Sequence, residues 1–263
     1  MQPPFLSPAP TWHNDVYPAI DLNKKPKTYE GKTVVITGAK RNPKFRRCAC
    51  SIFATYISDE KAVKSIAEKL NTWDVLVLNA GYIPTPSTIA KADRNVKSLI
   101  LLAKYFFPIA NPTKAACLAV ISGSIVMPTK MLVGLSAYQN SKLAIVKTIG
   151  YLAIENPKIF CAAVHPGMVD MAMFHKSGAS PDALPIDDDE SRYFYSEAFL
   201  QLPASFMVWV TLPNAQFLNG KLVFVDWDVD ELKARANEIA AGTLLTAGID
   251  GWPFQHSAAP LTQ

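Results

Sequence analysis

CLAVISGSIVMPTKMLVGLSAYQNSK, residues 117–142, is the stretch from which the rest of the chain can be read. Cys117-Leu118-Ala119-Val120-Ile121-Ser122 is an apolar run without alternation, the pattern of a strand buried on both faces of a parallel sheet. The far end predicts a helix over 137–155, stopped by Asn156-Pro157. On that helix Tyr138 and Lys142 stand one turn apart on one face. An ammonium there favours the phenolate and draws the tyrosine pKa down from about 10 towards the working pH. A serine hydroxyl nearby would hold a carbonyl oxygen while the tyrosine gives or takes its proton. Together they make an acid/base device for a C=O/CH–OH pair. Tyr-x-x-x-Lys also arises by chance on solvated helix faces, so the flanking elements decide its weight.

Outward from this stretch, further apolar runs are expected as strands at residues 33–37, 51–57, 74–78, 159–165 and 222–225. Helical patterns separate them. Residues 59–70 place Ala62, Val63, Ile66, Ala67 and Leu70 on one face, with Ser58 as the expected N-cap. Residues 92–107 and 137–155 read as largely buried helices. Strands alternating with helices predict an α/β fold, a doubly wound parallel sheet, whose ligands lie beyond the carboxyl ends of the strands. Those ends carry Gly38, Asn79-Ala80-Gly81, Ser122/Ser124 and Pro166-Gly167, converging on one crevice.

A chain of 263 residues suits one large domain (31–254) between an irregular, proline-rich arm (1–30) and a tail (255–263). With 18% charged residues and a net charge of +4, it is no disordered chain. The one dense basic cluster, Lys40, Arg41, Lys44, Arg46 and Arg47, lacks interleaved aromatics and reads as a solvated loop, not a nucleic-acid site. Cys48, Cys50, Cys117 and Cys161 form no Cys-x-x-Cys pair, which fits a reducing compartment. The histidines, at 13, 165, 175 and 256, show no metal-ligand spacing. The first residues lack a signal-peptide pattern, and 99–107 is too short to span a bilayer, so a soluble, cytoplasmic protein is expected.

With these residues placed, the chain resembles the short-chain dehydrogenase/reductase family, in particular its filamentous-fungal members. The likeness runs from about residue 12 to 254 and rests on Thr37-Gly38-Ala39, Asn79-Ala80-Gly81, Asn95-Val96-Lys97-Ser98, the pair Tyr138 and Lys142, and Pro166-Gly167. It implies a Rossmann-like fold and NADP or NAD as cofactor. Tyr138 would be the general acid/base; Lys142 would lower its pKa and bind the nicotinamide ribose. Ser124 would hold the substrate oxygen, with Ser122 the competitor and Gly123 at the register between them. Asn95 would anchor a proton-relaying water. Gly38, Asn79 and Gly81 would border the cofactor, and Pro166-Gly167 the nicotinamide. Helices matching residues 92–107 and 137–155 form dimer faces in the family, so a homodimer or homotetramer is implied.

The departures lie in the half that binds the dinucleotide. The family's glycine-rich loop survives only as Gly38, with Pro43 and Phe45 where later glycines belong. Gly38 and Asn79 stand 41 residues apart, too close for the second strand and its flanking helices. Tyr56 takes the place of an adenine-binding aspartate, and Met171 that of the threonine facing the carboxamide. The sheet is therefore expected to be truncated in its first half, with a strained or loose first edge. Either a segment is lost after Ala39, or the protein has given up the dinucleotide. Weak or absent cofactor binding is expected in both cases. Lys40 and Arg41 would favour NADP.

Residues 168–216 correspond to a substrate lid. Met171, Met173, Phe174, Phe194, Tyr195, Phe199, Phe206 and Met207 would suit an apolar or aromatic carbonyl or alcohol, or simply pack over the sheet. The first function expected is an NAD(P)-dependent oxidoreductase for a secondary alcohol or ketone, in fungal secondary metabolism. The alternatives are a cofactor-free isomerase, dehydratase or cyclase using Tyr138 and Ser124, and an inactive scaffold.

Overall fold

The computed structural model describes residues 7–24, 29–38, 51, 53, 55–83, 94–167 and 201–249. Among them lie strands β1 (Val34–Ile36), β2 (Val75–Leu78), β3 (Ala115–Val120), β4 (Ile159–His165) and β5 (Leu222–Phe224). The helices are α1 (Glu60–Lys69), α2 (Arg94–Phe106), α3 (Ser136–Glu155), α4 (Gln201–Val210), α5 (Val229–Ala234) and α6 (Ala236–Ala241). All five strands are parallel and lie side by side in chain order. Each central strand feeds both faces of the sheet by simple alternation. Ala116, Leu118, Phe160, Ala162 and Val164 point into a core shared with α4 and α5, while Cys117, Ala119, Cys161 and Ala163 meet α1, α2 and α3.

This is the expected Rossmann-like architecture, and the strand order accounts for its truncation. A doubly wound sheet reverses direction at a switch point; among the described residues this sheet never does. The run at 51–57 supplies no strand beyond β1. Its described members carry no strand, Tyr56 is 83% exposed, and the Tyr56 carbonyl instead accepts the Asp59 N–H as the chain turns into α1. A dozen residues is near the minimum for a parallel crossover, and the described residues show no strand at 51–57 for one to reach. β1 is thereby left as the edge. Its expected burial on both faces fails, with Val34 39% and Ile36 52% exposed while Val35 alone packs inward.

That short edge is held at its start by Asp74. Its carboxylate accepts from the Thr33 N–H at 2.8 Å, Asn111 Nδ2 at 2.8 Å and Lys32 Nζ at 3.2 Å. Burial alone would raise its pKa; these bonds outweigh burial and hold it below the usual aspartate value.

Two boundaries differ from expectation. The N-cap of α1 is Asp59, not Ser58, its carboxylate accepting from the N–H groups of Lys61 and Ala62. β3 begins and ends two residues earlier than its apolar run, because pairing of Ala115 with Ile159 sets the register. Ser122 thus falls just beyond the strand. The described part of the arm is irregular apart from a 3-10 turn at Leu22–Lys24, yet it is no mere surface strap. Ala9 and Ile20 are fully buried, and the Tyr17 hydroxyl bonds the Trp227 carbonyl at 3.1 Å and the Val229 N–H at 3.0 Å.

Candidate active site

Helix α3 places its functional residues by the rows it buries. Ala137, Ser141, Ile145, Ile149 and Ala153 recur every fourth residue, and Lys142 and Val146 form the adjoining row. This apolar face lies against the core side of β4 and draws Lys142 down to 4% exposure. Its Nζ donates to the Val120 carbonyl at 2.7 Å, at the end of β3, and lies 5.7 Å from the centre of the Tyr138 ring. Burial lowers the Lys142 pKa to about 8.

The expected electrostatic effect on Tyr138 is reversed in this state. The ammonium is turned to a backbone carbonyl and not to the phenol. Burial raises the Tyr138 pKa above its ordinary value, and a hydrogen bond with Ser122 only partly offsets it. The phenol is therefore kept protonated at neutral pH, the state of a general acid.

Ser122 is the serine whose hydroxyl partly offsets the burial of the tyrosine. Ser124 Oγ stands one bond further back, 2.6 Å from Ser122 Oγ, and receives Gln139 Nε2 at 2.7 Å. Gly123 lies between them, and its N–H donates to His165 Nδ1 at 2.9 Å. A Cβ at Gly123 would come within 2.6 Å of His165 Cδ2 and 2.7 Å of Nε2. The imidazole occupies the space a serine side chain would need there, which explains why both serines flank that register. Burial holds the His165 pKa down to about 4, so the ring accepts as a neutral base.

Asn95, near the start of α2, ties three elements together. Its Oδ1 accepts the Tyr82 N–H, and its Nδ2 donates to the Tyr82 carbonyl and to Ser141 Oγ, each at 2.9 Å. Ser141 Oγ in turn donates to the Tyr138 carbonyl at 2.7 Å. A cavity of about 20 Å³ beside Thr37, Asn95, Ser98 and Lys142 is the size that holds one water.

Gly38 and Asn79 meet where β1 and β2 end. Asn79 Nδ2 donates to the Thr37 carbonyl at 3.2 Å, and Thr37 Oγ1 accepts the Ala80 N–H at 3.0 Å. Gly38 has φ +75°, and a Cβ there would lie 2.8 Å from Ala80 Cα, so both conformation and close approach demand glycine. Gly81 follows Asn79-Ala80 beyond β2, and Pro166 and Gly167, the latter with φ +78°, follow β4 on the other side of β3.

The structure thus gathers Tyr138, Lys142, both serines and Asn95 around the end of β3, and sets Gly38 and Asn79 at the neighbouring strand ends. Lys40, Arg41, Pro43, Phe45 and Met171 lie outside the described residues, as do the lid positions 173–199. Of the lid, Phe206 is fully buried and Met207 packs against the same core, so these two cover the sheet. Gln139, Ser141 and His165 have no part in the sequence expectations. The position of His165, last in its strand and directly before Pro166-Gly167, is the signal that could have singled it out.

A buried acid follows β5. Asp226 is 4% exposed, its Oδ1 has no partner, and burial raises its pKa to about 7. A folded-state pKa above the ordinary 3.8 means the carboxyl's contribution is complete below that value and is lost as pH rises through 7. Asp226→Asn should therefore be more stable than the parent at pH 8 by about 2–4 kcal/mol, with the difference shrinking towards pH 4. Urea unfolding at both pH values checks this; equal gains at both would contradict it.

Among the described residues no helix is long and apolar enough to cross a membrane, and no three His, Cys, Asp or Glu side chains cluster as metal ligands. Cys117 and Cys161 are free and buried.

A family model described as enoyl-(acyl carrier protein) reductase matches residues 56–227. A short chain dehydrogenase/reductase of Claviceps purpurea is 29% identical over 214 residues, 75% of this chain and 67% of that protein. The short chain dehydrogenase pigC of Monascus ruber is 26% identical across 89% of this chain and 91% of its own length. That alignment runs over 292 positions against a chain of 263, so parts of pigC have no counterpart here. In fold, the chain is similar to the aldohexose dehydrogenase of Thermoplasma acidophilum, with a TM-score of 0.56, 18% identity, and 76% of this chain and 86% of that one covered.

Proposed function

Because this chain belongs to the short-chain dehydrogenase/reductase family, we propose that it is an oxidoreductase interconverting a ketone and a secondary alcohol with NADP or NAD, in fungal secondary metabolism. The observation that carries this is the convergence of Tyr138, Lys142, Ser122 and Ser124 at the end of β3, with Lys142 bonded to the Val120 carbonyl beside the tyrosine ring and Tyr138 kept protonated by burial. Tyr138 and Ser122 converge where a carbonyl oxygen would gain a proton. In reduction Tyr138 gives its proton to that oxygen while Ser122 holds the oxygen in place. Lys142, donating to the Val120 carbonyl, fixes the floor beneath the tyrosine. Asn95 locks the start of α2 to α3 through Ser141, keeping the tyrosine's helix in register with the strand ends.

The nicotinamide dinucleotide, when bound, supplies or takes the hydride. Its nicotinamide half fits the residues present: Lys142 and Tyr138, with Asn79 and Gly81 after β2 and Pro166 and Gly167 after β4, would hold it. Gly38, bare of a side chain against Ala80, leaves room for close backbone approach. The adenosine half fits poorly, because β1 is the sheet's edge and no described strand lies beyond it. The pigC alignment is longer than this chain, which supports loss of a segment. Weak dinucleotide binding follows. The substrate is a small apolar or aromatic carbonyl compound or alcohol. Copies associate through the outer faces of α2 and α3, where Ile100, Leu143, Tyr151 and Ile154 are exposed.

The test is oxidation of millimolar NADPH and NADH by the purified chain with a panel of aliphatic and aromatic ketones. Ketone-dependent oxidation is expected with at least one apolar member. No oxidation with any ketone, alongside isomerisation or dehydration of one without cofactor, would overturn the proposal in favour of cofactor-free chemistry.

A further inference from the structure

The ladder between β3 and β4 ends on a side chain. Ile121, the residue after β3, still donates its N–H to the Val164 carbonyl at 2.9 Å. Parallel ladder bonds are evenly spaced along a strand, so the next donor on that side is Gly123. Ser122 between them is extended, with φ −119° and ψ 131°, which keeps the Gly123 N–H turned towards β4. Pro166 cannot continue the ladder from its own side, because it has no N–H. The Gly123 N–H goes instead to His165 Nδ1, at 2.9 Å. A backbone amide can only donate, so Nδ1 is the acceptor and the neutral ring carries its proton on Nε2.

The imidazole has little freedom to turn away. The His165 carbonyl accepts the Val225 N–H at 3.1 Å, which ties its backbone to the end of β5. Phe224 meets the ring edge-on and is itself stacked on Trp227. At the other end of the same short segment, Lys142 Nζ donates to the Val120 carbonyl at 2.7 Å. Residues 120–123 are therefore held at their start by α3 and at their end by β4, with Ser122 between the two anchors.

We propose that His165 is a positioning residue for the serine turn: its Nδ1 replaces a ladder carbonyl and sets where Ser122 stands relative to Tyr138. This rests on the oxidoreductase role of Tyr138 and Ser122. What the turn requires is an acceptor at that point, not an imidazole acting as acid or base. An apolar side chain of similar shape leaves the buried Gly123 N–H without a partner, and the turn must move to find one.

The test compares His165→Asn with His165→Leu in the full-length chain. The two replacements branch alike at Cγ and fill similar space, but only asparagine offers an oxygen near the place of Nδ1. The first readout is hydrogen exchange of the Gly123 amide in the ligand-free protein, taken relative to Ile121. Leu should speed Gly123 about tenfold relative to Ile121, and Asn should keep the ratio within about threefold of the parent. The second readout is ketone reduction. Its kcat should fall at least about tenfold in Leu and stay within about threefold in Asn, with the KM for ketone little changed in either. Loss of packing alone would act on both variants alike. If Leu fails to fold, His165→Ala takes its place in both readouts. A Gly123-to-Ile121 ratio unmoved in Leu, or equal kcat in Asn and Leu, overturns the proposal. The exchange readout needs no turnover, so ratios that separate as expected in a chain that reduces no ketone would uphold the acceptor role of His165 and sink the oxidoreductase reading alone.

Discussion

Tyr138→Phe loses at least about a hundredfold of ketone-dependent cofactor oxidation while its melting temperature stays close to that of the parent. The loss falls in kcat, because the phenol acts on the oxygen only as charge develops there. Stability is spared because the ring still packs on α3 and only the bond with Ser122 disappears. The pH dependence has a defined sign. Burial raises the Tyr138 pKa, so the protonated phenol that reduction needs persists through neutral and mildly alkaline pH. Oxidation of the alcohol needs the phenolate, and its rate should climb with pH well past neutrality. A loss in Phe confined to KM, with kcat unchanged, would contradict the role.

Gly123→Ala destabilises the protein by about 2–3 kcal/mol and cuts turnover more than tenfold. The added methyl meets His165 Cδ2 and Nε2 at 2.6 and 2.7 Å and Phe224 Cε2 at 3.0 Å. None of these yields cheaply. The imidazole sits at the end of β4 and packs edge-on to Phe224 with ring centres 4.7 Å apart, and Phe224 is stacked on Trp227. Relief must come from the backbone of the turn, which breaks the Gly123–His165 bond and moves Ser122 off the tyrosine. The double variant Gly123→Ala/His165→Ala should be less than additive, since the second change opens the space the first one needs. Full additivity in urea unfolding would show that the two residues do not meet.

The acid/base half was legible in the sequence because it is local. Tyr138 and Lys142 are linked by helical spacing alone, and the buried row of α3 that sinks Lys142 repeats every four residues. Five of the six expected strands were equally plain as β-branched or apolar runs, and their parallel order followed from the alternating helices. Residues 51–57 misled because the same β-rich composition makes a strand only where a neighbour and a long enough crossover exist. Neither requirement is written inside the run. Burial of Val34 and Ile36 failed for the same reason, being a property of the missing neighbour. That serines stand at 122 and 124 and not at 123 depends on a residue in another strand: His165 fills the register between them, a contact spanning 42 positions that no local pattern encodes. The raised pKa of Tyr138 comes from its burial, which helical spacing does not encode. Spacing brings Tyr138 and Lys142 together, but the Val120 carbonyl takes the ammonium.

The central claim is a retained acid/base half joined to a reduced dinucleotide half, and one rate measurement addresses both. Initial rates of NADPH oxidation are recorded with a saturating ketone while the cofactor is raised from micromolar to millimolar. The account predicts a rate that depends on the ketone and still rises almost linearly at about 100 μM cofactor, as expected when several kcal/mol of binding are lost. A rate that saturates at micromolar cofactor, or no ketone-dependent rate at any concentration, would contradict it.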